Sequence, residues 1–201
     1  MIRLAVGPGI TLFKERAGDA ALTAALAVTR ACPPRRQMTP GGKEMSVAMT
    51  NCGALGWVSD RNGYRYSPTD PLTGQPWPAM PSVLAALATE AAEAAGFPDF
   101  APEACLINLY EPTSRMGAHQ DRDERAMDAP VVSVSFGLSA RFRIGGISRG
   151  GPTRSFLLDH GDVLVFGGPA RLAYHGVDRV LLGDHPVLGA RRLNLTFRRV
   201  S

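Results

Sequence analysis

Cysteine is scarce in this chain: Cys32, Cys52 and Cys105 are the only three in 201 residues, and none forms a CxxC pair. That odd, scattered set excludes a disulfide framework and a zinc ribbon and favours a reducing compartment, so a cytoplasmic protein is expected. Long apolar runs are missing too. None approaches the roughly 20 residues that a bilayer crossing requires. The opening MIRLAVGPGITLF carries one early Arg and a short apolar stretch broken by Gly7, Pro8 and Gly9, so no secretory signal is expected there. Low-complexity tracts, internal repeats and dividing linkers are also absent, and one domain spanning 1–201 is expected. What remains is 45% hydrophobic and carries a net charge of +4, enough for a real core and a surface inclined toward polyanions.

Two stretches read as helices. Asp19 to Arg30 is rich in Ala and Leu, with Asp19 placed to cap its start and Pro33 and Pro34 beyond its end. Pro81 to Ala95 has Pro in its first turn and Gly96 as its stop. Between them, 45–80 is rich in Gly, Pro, Tyr and Trp and reads as short strands, with Arg61-Asn62-Gly63 as a hairpin turn. Mixed aromatic and polar content of this kind marks a functional loop rather than a plain connector. From Ala104 the pattern becomes eight short strands: Ala104–Tyr110, Met116–Asp121, Val131–Leu138, Ala140–Gly146, Arg154–Leu158, Asp162–Phe166, Leu172–Val180 and Arg192–Val200. Together these predict an α+β, mainly β chain, either an antiparallel jelly roll or a barrel, with the helices covering one sheet from outside.

His119 and Asp121 stand two apart. On a strand they share a face, and with the distant His175 they make the two-histidine, one-carboxylate set of non-haem Fe(II) oxygenases. The tripeptide alone is weak, and His175 alone reads equally as a core histidine. The last strand alternates Leu193, Leu195 and Phe197 with Arg192, Asn194, Thr196 and Arg198. Its polar face either meets water or lines the interior, where guanidinium forks suit a dicarboxylate. Asn108 and Tyr110 share a face in the same way. His160, in LLDHGD, reads as structural, and His185 takes no metal role.

The runs ACLINLYEPTSRMGAHQDRDE, VVSVSFGL, LLDHGDVLVFGG, LAYHGV and RRLNLTFR, with TNCGALGWVSDRNGYRYSP and PWPAMP upstream, resemble the bacterial AlkB-type nucleic-acid demethylases from about Met49 to Arg198. The resemblance implies a double-stranded β-helix, or jelly roll, over 104–200, flanked by N-terminal helices and covered by a nucleotide-recognition lid over 45–80. It implies that His119, Asp121 and His175 hold Fe(II). Arg192 and Arg198, assisted by Asn108, Tyr110 and Asn194, would bind 2-oxoglutarate, with O2 as the oxidant. Trp57 would stack on an extruded base, Tyr64 would bond a flanking phosphate, and Asp123 and Arg149 would contact the substrate. The implied reaction is oxidative demethylation of bases such as 1-methyladenine and 3-methylcytosine in single-stranded DNA or RNA, releasing formaldehyde, succinate and CO2. Phe166 departs from the family pattern, where Trp is frequent. A monomer is expected. Competing readings are a 2-oxoglutarate oxygenase acting on a protein or small molecule, a non-catalytic sugar- or metal-binding jelly roll, a nucleic-acid-binding module with a relic site, and a structural zinc site.

Overall fold

The computed structural model describes residues 2–201. The expected helices form as α1 (Asp19–Ala31) and α2 (Ser82–Ala94). Asp19 does not cap α1: Gly18 holds that position, and Asp19 lies in the first turn, where its carboxylate still favours the positive end of the helix dipole. Among the described residues no helix is long and apolar enough to cross a membrane.

All eight strands expected after residue 104 are present: β7 (Ala104–Tyr110), β8 (Met116–His119), β9 (Val131–Gly137), β10 (Ala140–Ile144), β11 (Arg154–Leu158), β12 (Val163–Phe166), β13 (His175–Val180) and β14 (Arg192–Arg198). Two boundaries differ in a way that matters. β8 stops at His119, so Asp121 lies beyond the strand, and β13 begins at His175 because a 3-10 turn over Gly168–Ala170 occupies the connector before it. Upstream lie β1 (Ile2–Gly7), β2 (Ile10–Lys14), β3 (Arg35–Met38), β4 (Glu44–Gly53), β5 (Gly56–Asp60) and β6 (Gly63–Ser67). Of these, β1, β2 and β3 were not expected. The Gly7-Pro8-Gly9 break is the turn of a β1–β2 hairpin.

The strands form an eight-stranded sheet, ordered β1-β2-β12-β9-β14-β7-β4-β3, facing a four-stranded sheet, β11-β10-β13-β8, with β5-β6 as a separate hairpin. All the paired strands run antiparallel. This is the expected jelly roll, two layers with the helices outside the larger one. The period-two pattern of β14 accounts for the layering. Leu193, Leu195 and Phe197 face α1 and α2, packing with Leu22, Ala25, Leu84 and Ala88. The opposite face of the large sheet meets Phe142, Ile144 and Val177 of the small one. Each fully buried Leu or Phe contributes roughly 1.5–3 kcal/mol, so register is strongly fixed on the helix side. The polar residues of β14 therefore have to point between the sheets, and Arg192, Asn194, Thr196 and Arg198 are all buried there.

Candidate active site

His119 and His175 are cross-strand partners on β8 and β13, with ring centroids 4.5 Å apart. A side chain at Gly176 would run into the Met116 carbonyl, so glycine there lets the two strands close up beside the histidines. Asp121 reaches the same point from the segment after β8. Its carboxylate lies 3.6 Å from His119 Nε2 and 3.8 Å from His175 Nε2. One ligand atom from each of the three residues falls within 4.8 Å of the others, the only such group among the described residues. Each histidine is tethered through Nδ1 to the carbonyl two residues before it: His119 to Gly117 and His175 to Ala173, both at 2.9 Å. That tether leaves both Nε2 atoms facing Asp121, the orienting arrangement that metal-ligating histidines use.

The electrostatics suit a cation. Burial opposes charge on Asp121, but the Arg198 guanidinium beside it outweighs burial and holds the carboxyl well below the usual carboxylate range. Burial pushes His175 down to about 4, against the attraction of Asp121, so its imidazole is neutral near pH 7. An ionised Asp121 and a neutral His175 are in the protonation states that metal binding needs. The donor set, two nitrogens and one oxygen without sulfur, fits Fe(II) with coordination positions left open.

Next to the triad is a chamber of about 60 Å³ lined by all five residues expected to hold the cosubstrate: Asn108, Tyr110, Arg192, Asn194 and Arg198. Arg192 is 1% exposed, its guanidinium sits 5.0 Å from the Tyr110 ring, and it donates to Ser135 Oγ at 2.9 Å. Its Nε and NH1 have no partner among the described residues, nor do Asn108 Oδ1 and Arg198 NH1. Burial lowers the Arg192 pKa, countered by Tyr110. A buried guanidinium with idle donors is costly unless an anion completes it. The chamber thus fits a carboxylate-bearing cosubstrate. Arg198 differs from expectation, since most of its fork is spent inside the protein. Its Nε and NH2 donate to Asp121 Oδ2 at 3.0 and 2.8 Å, leaving NH1 alone free for the chamber.

Above the triad a cavity of about 420 Å³ is lined by Trp57, Tyr64, Asp123 and Arg149, the four residues expected to meet substrate, together with His119 and Arg122. Trp57 and Tyr64 stack with centroids 5.5 Å apart on the β5–β6 hairpin. Trp57 Nε1 donates to Asp123 Oδ2 at 2.8 Å, and Arg149 lies over the Tyr174 ring. Asn51, fully buried on β4, accepts from Trp57 N and donates to Trp57 O, both at 3.0 Å, fixing the tryptophan backbone to the large sheet.

Sequence reasoning missed the groups beneath this cavity. Glu124, which the sequence did not single out, is buried and accepts from Tyr66 Oη at 2.5 Å and from Arg171 NH2 at 2.9 Å. Gln120 points the other way, donating to the carbonyls of Ile147 and Leu172 at 3.2 and 2.6 Å. The signal for Arg171 was a lone charge in the apolar run PARLAY.

The profile of the 2OG-Fe(II) oxygenase superfamily matches residues 9–198 of this chain. The chain belongs to the AlkB family. It is 48% identical to the alpha-ketoglutarate-dependent dioxygenase AlkB of Salmonella typhimurium over 98% of this chain and 92% of that protein. With the AlkB of Escherichia coli K12 it shares 54% identity over 84% of this chain and 78% of that protein. Among solved structures, OsALKBH1 superposes with a TM-score of 0.85 at 28% identity, covering 98% of this chain and the whole of that one. The AlkB family and the jelly roll agree with the triad: the chain is an Fe(II)- and 2-oxoglutarate-dependent dioxygenase.

Proposed function

We propose that this enzyme oxidatively removes alkyl groups from N-alkylated bases, such as 1-methyladenine and 3-methylcytosine, in single-stranded DNA or RNA. The observation that carries the reading is the adjacency of two chambers across one His-Asp-His cluster. One holds an uncompensated buried guanidinium, and the other is walled by Trp57, His119 and Asp123. In this reading 104–200 is the jelly-roll core of one domain and 45–80 is its nucleotide-recognition lid. A monomer suffices because a single chain supplies every group, and the three free cysteines suit a reducing cytoplasm.

His119, Asp121 and His175 hold the iron. Arg192 takes the principal share of the 2-oxoglutarate carboxylates, with Asn108, Tyr110, Asn194 and the remaining donor of Arg198 around it. When bound, iron and 2-oxoglutarate supply an oxidant able to hydroxylate an unactivated N-alkyl carbon, a bond too weakly acidic for proton transfer to break. The side chains of the protein then govern what is presented to that oxidant. A base must leave its stack to enter, which an unpaired strand concedes most easily. Trp57 gives it an aromatic face, and Asp123 offers negative charge to a ring made cationic by alkylation. Tyr64, half exposed, would bond a flanking phosphate, and Arg122 and Arg149, exposed in the wall of the cavity, add positive charge for the strand. Tyr110 keeps its phenol protonated, because burial raises its pKa, and so remains a donor in the cosubstrate chamber.

The test is mass spectrometry of a short single-stranded DNA carrying one 1-methyladenine or 3-methylcytosine, with Fe(II), 2-oxoglutarate and ascorbate in air. Loss of the methyl group with formaldehyde release is expected only in the complete reaction, and Asp121→Ala should abolish it. Steady succinate formation without loss of the methyl group would instead direct the search to protein or small-molecule substrates.

A further inference from the structure

We infer that Arg171 is the positioning residue that fixes Asp121 against His175 and thereby sets the metal affinity of the triad. Two of the three ligands gain their place from strand pairing, since His119 and His175 face each other across β8 and β13. Asp121 has no such support. It lies in a segment without helix or strand that runs from the end of β8 at His119 to the start of β9 at Val131. A ligand on irregular backbone holds its geometry only where other groups over-determine it.

Arg171 supplies that determination with three donors in one rigid plane. NH1 donates to the Asp121 carbonyl at 2.6 Å, Nε to the Ala129 carbonyl at 2.9 Å, and NH2 to Glu124 Oε2 at 2.9 Å. The fork thus grips the segment at its beginning, middle and end, and the side chain is only 4% exposed. Arg171 is itself fixed, for its own N–H bonds the Gly168 carbonyl of the 3-10 turn at 3.0 Å. Two residues further on, the Ala173 carbonyl accepts the Nδ1 tether of His175. One guanidinium therefore ties the backbone that carries Asp121 to the connector that orients His175. The division of labour with Arg198 is clear: Arg198 holds the Asp121 carboxylate and Arg171 its main chain. Lysine, whose three donors radiate from one nitrogen, cannot span three acceptors spread along a planar fork.

Charge accounting makes the inference testable without unfolding the protein. Arg171 and Arg198 are matched by Asp121 and Glu124, all four buried. Removing Arg171 alone takes the ion-pair partner from Glu124 Oε2 and leaves two buried carboxylates against the one guanidinium of Arg198, whereas Arg171→Met with Glu124→Gln removes one charge of each sign. The glutamine carbonyl can still accept from Tyr66.

The inference rests on His119, Asp121 and His175 being the metal ligands. The experiment is titration of the purified, metal-free chain with Co(II), followed by its visible d–d absorption, alongside thermal unfolding. In the double variant the unfolding midpoint should stay within a few degrees of the unsubstituted chain while Co(II) binding weakens about 10- to 100-fold. Arg171→Lys should weaken binding in the same direction, and Leu84→Ala, a core change on α2, should lower the midpoint while leaving Co(II) affinity unchanged. Co(II) affinity within two-fold of the unsubstituted chain in a folded double variant would overturn the inference alone. So would equal weakening in Leu84→Ala, which would reduce Arg171 to a general contributor to stability. Absence of a Co(II) band from the unsubstituted chain would overturn the metal-site reading and this inference with it.

Discussion

Replacing Arg192 with Met should separate binding from stability in opposite directions. The side chain is among the largest fully buried in the protein, and two of its nitrogens have no partner among the described residues. Among the described residues its polar partners are Ser135 Oγ and the Tyr110 side chain, neither of them a carboxylate. An apolar chain of similar volume removes an uncompensated buried charge, so the free protein should become no less stable, and stabler by up to a few kcal/mol. With 2-oxoglutarate the balance reverses. Truncating one partner of a buried, hydrogen-bonded charge pair costs about 2–5 kcal/mol, or about 30-fold to several thousand-fold in dissociation constant. The assay is calorimetric titration of Mn(II)-loaded protein with 2-oxoglutarate, paired with thermal unfolding of both chains without it. A 2-oxoglutarate affinity within three-fold of the unsubstituted chain would refute the assignment. A free variant destabilised by several kcal/mol would refute the argument that the guanidinium is stranded.

Trp57→Ala should raise the KM for a methylated oligonucleotide about 5- to 150-fold, the equivalent of roughly 1–3 kcal/mol of base stacking, with 2-oxoglutarate affinity unchanged. Trp57→Phe, which keeps a ring but loses the donor to Asp123, should fall between, and an unaltered KM in both would remove Trp57 from the substrate site. The pH dependence of stability should carry a mark of His160. Its Nδ1 accepts the Gly137 N–H at 3.1 Å, its ring stacks on His185, and burial followed by the charge of His185 lowers its pKa. The unfolded chain then binds more protons than the native one, so this stability is complete above the unfolded value near 6.5 and drains away as pH falls below it. Urea unfolding from pH 8 to pH 5 should show a shallower loss in His160→Gln than in the unsubstituted chain, and parallel curves would contradict the assignment.

What the sequence made legible was whatever repeats with the period of a strand or sits in a short motif. β14 announced both its faces because seven consecutive residues alternate without a break, and burial of its apolar side then decided the side on which Arg192 and Asn194 must lie. His119 and Asp121 were paired for an incomplete reason. The i, i+2 argument assumed a strand through Asp121, yet the strand ends at His119, and the carboxylate arrives by way of the clamped segment beyond it. β1 and β3 escaped notice because they are exposed edge strands whose solvent faces leave little alternation to read.

Glu124 and Arg171 show why the remainder of the site was hidden. Both are charged residues whose burial depends on partners dozens of positions away: Tyr66 is 58 residues from Glu124, and Asp121 is 50 from Arg171. A charge that ends in a solvated loop and one that ends in a buried pair read alike along the chain, because desolvation and compensation are set together by the tertiary fold. Composition does leave one trace. An arginine interrupting an apolar run that leads into a metal-ligating histidine must either break that run to reach water or find acceptors inside. The second course requires at least one carbonyl or carboxylate from another segment. Arg171 takes that second course with three acceptors, all from the segment that bears the metal carboxylate. The same desolvation argument separates it from Arg192: a buried guanidinium whose donors are all met braces the protein, and one whose donors are left open is built to receive an anion.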